Sequence, residues 1–99
     1  MPIVGLPQPQ LFAILGQNNL DKIEAAIKLK YPNDYLVLNP GQWLLVASGI
    51  TSKELSDNLG ITTGASGGAI VIPGTGGYYG RAEPGIWEWL KSRLGAPHA

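Results

Sequence analysis

Residues 64–81, GASGGAIVIPGTGGYYGR, hold seven of the fourteen glycines in this 99-residue chain, and with them the two motifs whose spacing invites chemistry. The first, Gly64-Ala65-Ser66-Gly67-Gly68, satisfies the pattern G-x-S-x-G. A nucleophile elbow uses that pattern to hold a serine on a sharp turn between a strand and a helix, with a histidine in reach to take its proton. Here the flanking patterns predict a helix before the serine and a strand after it, and the only histidine is His98. The segment therefore reads as a glycine-permitted loop, and no catalytic residue is assigned.

The second motif is Gly74-Thr75-Gly76-Gly77-Tyr78-Tyr79-Gly80. It begins like a dinucleotide fingerprint, but its third glycine falls one place late, it opens no predicted βαβ turn, and no P-loop lysine follows. A more modest chemistry remains. The amides of Gly74, Gly76 and Gly77, together with Tyr78, Tyr79 and Arg81, would suit an anion nest for a small ligand or a nucleotide phosphate. The competing expectation is a tight turn whose tyrosines pack on the tryptophan-bearing helix that follows.

Other chemistries are narrowed by composition. With no cysteine there is no disulfide framework, no thiolate nucleophile and no cysteine-based metal site. Glu54 and Asp57 share one helix face and read as solvated surface, while Glu83 and Glu88 flank a helix start, where negative charge suits the dipole. No spacing of oxygen ligands points to a metal, so neither metal nor cofactor is assigned. The seven basic and seven acidic residues are scattered, giving zero net charge without a basic patch. That disfavours nucleic acid and charged membrane surfaces as partners. No apolar run approaches the roughly 18–20 residues of a membrane span. The N-terminus also lacks the basic flank and apolar core of a signal peptide, so the expected location is cytoplasmic. Only 14% of residues are charged, against about 25% in a typical globular protein, which points to a surface partly covered by another chain.

These residues must be positioned by a single small domain over residues 11–95, with an extended arm before it (residues 1–10, held extended by Pro2, Pro7 and Pro9) and a tail after it (96–99). Residues 11–15, LFAIL, are apolar on both alternating faces, as a central strand is. Asn18 is the expected cap of a helix whose stripe runs Leu20, Ile23, Ile27, Tyr31, with Asp21 in its first turn, lysines outside and Pro32 as its end. Residues 35–38 form a second strand, Asn39-Pro40-Gly41 a turn, and QWLLVAS (Gln42–Ser48) a third strand, again apolar on both faces. Thr51 and Glu54 spell a capping box, with Gly60 as the left-handed stop of that helix. Residues 69–72 form a fourth strand stopped by Pro73. Pro84 then opens a helix to Leu94, stopped by Gly95, whose buried face is Ile86, Trp87, Leu90 and Leu94. Trp89 sits about 100° away from that face.

Strand, helix, strand, strand, helix, strand, helix is an α+β order. It predicts a ferredoxin-like βαββαβ antiparallel sheet with an additional C-terminal helix, the first and third strands in the middle. Two helices cover one face of such a sheet. Either Leu11, Ala13 and Leu15 or Phe12 and Ile14 then need cover from the last helix or from a second copy, which predicts a homodimer. Phe12, Trp43 and Trp89 are the candidate interface residues, since aromatic side chains are enriched in interface cores.

The short first strand, the Trp-led QWLLVAS, the capped TSKELSDNL helix and the late WEWLKSRL helix give a chain that resembles small bacterial ferredoxin-like proteins, among them the VapD-like proteins and the small CRISPR-adaptation protein. The likeness spans roughly residues 11–94 and implies the fold and a homodimer. The metal-dependent nucleases of that group carry an aspartate at the end of the first strand; here the place reads Leu15-Gly16-Gln17-Asn18, so nuclease activity is not carried over. The same element order occurs in RNA-recognition modules, and Leu11-Phe12 resembles the start of their first-strand motif. Their third strand, however, alternates glycine and aromatics after a basic residue, which QWLLVAS does not. The sequence thus points to a non-enzymatic homodimeric interaction or regulatory module, with possible protein partners. Its alternatives are ligand or nucleotide binding through residues 74–81 and, by fold analogy alone, a nucleic-acid-associated role.

Overall fold

The computed structural model describes residues 9–74 and 84–94. These form β1 (Pro9–Gly16), α1 (Leu20–Lys30), β2 (Tyr35–Asn39), β3 (Gln42–Ser48), α2 (Ser52–Asn58), β4 (Ala69–Gly74) and α3 (Pro84–Leu94). The architecture is α+β, with the four strands in one antiparallel sheet of order β2-β3-β1-β4. The two strands apolar on both faces, β1 and β3, are the interior pair.

Because side chains alternate across a strand, the register sorts them onto two faces. Phe12 lies opposite Leu45, Ile14 opposite Trp43 and Val71, and Tyr35 opposite Leu45. This face is closed by the first two helical segments: Ile23 and Ile27 from α1, Leu55 from α2, and Leu59 and Ile61 just beyond it join Phe12, Ile14, Trp43 and Leu45 in the core. The alternation therefore resolves which set of β1 meets the helices, and it is Phe12 and Ile14.

Local chemistry explains why α2 starts and stops where it does. Thr51 accepts from the Glu54 amide through its hydroxyl at 3.1 Å while the Glu54 carboxylate accepts from the Thr51 amide at 2.9 Å. At the other end Gly60 takes φ +74°, the Gly60 amide bonds the Asp57 carbonyl and the Ile61 amide bonds the Ser56 carbonyl. That is a Schellman closure, and it folds Ile61 back into the core.

Three boundaries differ from expectation. β1 begins at Pro9, within the expected arm, because Pro9 and Gln10 pair with Ser48 and Ala47. β4 runs through Pro73 to Gly74, since an edge strand tolerates the missing donor. Helix α1 is capped by Asn19, not Asn18: Asn19 takes the left-handed conformation with φ 51°, and no side chain caps the helix. The remaining arm, the Gly95 stop, the tail and His98 lie outside the described residues.

α3 packs on the opposite face. Leu90 and Val46 are buried outside the cluster formed with α1 and α2. The first turn of α3, Gly85 and Ile86, shares a groove of about 670 Å³ with Leu36, Val37, Leu38, Asn39 and Gln42. Near its other end, Arg93 donates through Nη2 to the Asn33 carbonyl and lies 3.8 Å through Nε from the Asp34 carboxylate. Its guanidinium also stacks over Trp89, 4.5 Å from the ring centroid. α3 thus touches β1 and borders β2 at its first turn, while Ile70 and Ile72 of β4 are exposed.

Thr51→Ala removes the hydroxyl half of the capping box and is expected to destabilise the fold by about 1 kcal/mol, whereas Leu55→Ala, which empties a fully buried site, is expected to lose roughly 2–5 kcal/mol. Urea denaturation of the two variants checks both values and their order.

Candidate functional site

The glycines of the G-x-S-x-G motif serve a close backbone approach. Gly67 has φ +124°, and a Cβ there would sit 2.7 Å from the Asn18 carbonyl oxygen and 2.8 Å from the Asn19 Cβ. The Gly68 amide donates to Asn18 Oδ1 at 2.9 Å, and its carbonyl accepts from the Gln17 amide at 2.8 Å. Asn18 is committed to this loop, which is why it does not cap α1. A strand follows Ser66 in place of the helix an elbow needs. The loop therefore docks the start of β4 onto the end of β1, where Ala69 lies opposite Gly16.

Of the expected ligand-binding residues, Gly74 ends β4 opposite Leu11. Gly76, Gly77, Tyr78, Tyr79 and Arg81 lie outside the described residues. Of the expected interface residues, Phe12 and Trp43 are 0% and 2% exposed. Both are enclosed by the chain's own helices, so neither reaches a surface that a second chain could contact. Trp89 is half-buried on α3 beneath Arg93. Among the described residues no group of three or more His, Cys, Asp or Glu could hold a metal ion.

Trp43 carries the core's polar contact with α1. Its indole Nε1 donates to Glu24 Oε1 at 3.0 Å, and Lys28 lies 3.4 Å from the other carboxylate oxygen. The indole bond holds the Glu24 carboxyl below its ordinary value; partial burial opposes this and the Lys28 charge adds to it. Beside this pair a cleft of about 290 Å³ is lined by Leu20, Asp21, Val37 and Pro40.

The surface that stands out is the sheet face opposite α1 and α2. Leu15 lies between Gln42 and Ile70 in the register, and Ala13 between Leu44 and Ile72. Leu44 is half-buried and Val46 buried. Toward β4 the same face opens: Leu15 is 37%, Ile70 53% and Ile72 44% exposed. Leu38, 37% exposed, borders the groove at the β2 edge. These are large apolar groups left facing water on the sheet itself, where an interaction surface is expected. Sequence reasoning raised Leu15 as needing cover but did not single out Ile70 or Ile72. The signal was the unbroken apolar run 69–72, which is excessive for an edge strand with one wet face.

No family model matches the chain, and neither a curated protein nor a solved structure is significantly similar to it. Among the described residues no helix is long and apolar enough to cross a membrane.

Glu24, with its folded pKa depressed, stabilises the fold fully above the ordinary glutamate range and loses that contribution as pH falls through its folded value. The stability difference between wild type and Glu24→Gln is therefore expected to be constant near neutrality and to shrink in acid. Urea midpoints read by tryptophan fluorescence across pH test this, and a difference independent of pH would contradict it.

Proposed function

We propose that this chain is a small non-enzymatic interaction or regulatory module with a ferredoxin-like fold that works as a homodimer. The fold assignment is supported by the strand order: counted from β4 it runs β4-β1-β3-β2, all neighbours antiparallel, as in a split βαβ arrangement. The single observation that carries the functional reading is the apolar sheet face that α3 leaves partly uncovered, with Ile70 and Ile72 facing water. Binding is favoured over catalysis because the serine loop is occupied in docking β4 to β1 and the described carboxylates form no cluster.

The low charge content supports the same reading, since 14% charged residues leave little charged surface to keep an apolar face from associating. Light scattering on a size-exclusion column is expected to give the mass of two 10.5 kDa chains, and a strict monomer at high concentration would overturn the dimer.

A thermal-shift screen with nucleotides and inorganic phosphate separates this function from ligand binding through residues 74–81. No stabilisation is expected. A shift in melting temperature that disappears in Arg81→Ala would assign the function to that segment instead.

A further inference from the structure

We infer that α3 is a strap, tied down by Arg93, that lifts from the sheet as a unit while the rest of the fold stays intact. Its opening sets how much of the apolar sheet face is presented. These contacts lie within one chain, so the strap stands or falls apart from the dimer proposed above.

The two sides of the sheet are held unequally. α1 and α2 contribute Ile23, Ile27 and Leu55, all fully buried, to a core completed by Leu59 and Ile61. That core, with the half-buried apolar residues packed around it, includes no residue of α3. On α3 itself Leu90 is buried, while Ile86, Trp87, Trp89 and Leu94 are half-buried. Lifting α3 therefore leaves every member of the main core in place. An element that separates in this way opens at a lower free energy than the whole domain unfolds. A helix of 11 residues is also marginal in water by itself, so α3 loses its own hydrogen bonds once it leaves the sheet.

The tie is polar and close to solvent. Arg93 stacks on Trp89 and donates through Nη1 to Ser92 Oγ at 3.0 Å. Both of those partners move with α3, so Arg93 crosses to the rest of the fold only through the Asn33 carbonyl and Asp34. Its Nε is buried yet makes no hydrogen bond, because the Asp34 carboxylate stops 3.8 Å away. An exposed ion pair at that separation contributes little.

What the strap hides gives it a use. On the face that α3 occupies, Val46 is buried and Leu44 half-buried, opposite Leu11 and Ala13 of β1. When α3 lifts, these residues join Leu15, Ile70 and Ile72 in one apolar face across β3, β1 and β4. The closed chain shows the β4 margin of that face, and the open chain shows its centre as well.

Hydrogen exchange on the intact protein tests the strap. Amides of α3 are expected to exchange well before those of β1 and β3. Leu55→Ala, or Thr51→Ala should the first variant not fold, is expected to speed β1 and β3 and leave α3 unchanged. Arg93→Ala should speed α3 roughly tenfold or more, through loss of the donor and the stack. The chain has no cysteine, so a single introduced thiol gives a second reading. Val46→Cys, on α3's face, should react with a thiol reagent at least about tenfold faster than Ile14→Cys, on the face of α1 and α2. Wild-type Val46 and Ile14 are both buried, so the difference would come from opening. The strap is overturned by α3 amides that exchange together with β1 and β3 and speed up with them in Leu55→Ala. It is equally overturned by α3 exchange that does not respond to Arg93→Ala, or by a Val46→Cys thiol as protected as that of Ile14→Cys.

Discussion

A strand hydrogen-bonded along both edges can lose water only through its two faces, and β1 and β3 are apolar on both. Everything else in the structure answers to that requirement. α1 and α2 close one face around Phe12, Ile14, Trp43 and Leu45. On the other face the described residues supply one helix for four strands, and a single helix about 10 Å wide cannot cover sheet neighbours spaced nearly 5 Å apart from edge to edge. The uncovered strip at β4 is thus a consequence of element count and geometry. It does not arise from any one badly placed residue.

Where α3 lies on that face is set from its C-terminal end. Arg93 reaches the Asn33 carbonyl and the Asp34 carboxylate while its guanidinium plane rests on Trp89. A planar, always-charged group can serve stacking and donation together, and a lysine could not. The Asp34 backbone carbonyl in turn accepts from the Val46 amide, so the turn that receives Arg93 is itself fixed to β3. The opposite side of the sheet has its own fastening. The Gly67–Gly68 backbone lies directly against Asn18, and this seats β4 beside β1 with a register that turns Ile70 and Ile72 outward.

Much of the fold could be read from punctuation. The capping box at Thr51, the left-handed Gly60 and the proline at the start of α3 are local signals whose physics does not depend on the rest of the chain, and those elements fall where expected. The pairing of a two-faced apolar pattern with interior strands also held for β1 and β3. What could not be read was anything that depends on parity or on distant contacts. Apolarity on both faces of β1 says that Phe12 and Leu11 are each to be buried, but not which meets the helices, so Phe12 and Trp43 looked as eligible for an interface as Leu15. Asn18 has the right side chain for a cap. Its loss to Gly68, fifty residues away, is invisible to any local rule. The G-x-S-x-G pattern was legible as a loop, but its partner, the β1–α1 connection, was not.

The proposed dimer also changes what the stability of this chain means. A domain of this size buries a modest share of its surface, and its margin is correspondingly narrow. Three branched side chains held in water by a rigid sheet are a standing hydrophobic penalty that no rotamer change can relieve, because Leu15, Ile70 and Ile72 are fixed by the ladder that also holds the core. Removing them from water by association therefore adds to the free energy of the same structure. Mass action then ties folding to chain concentration. In such a protein the sheet face is part of the fold in the dimer and a liability in the monomer, while Pro73 in β4 and the register shift in β2 blunt the two sheet edges against strand pairing.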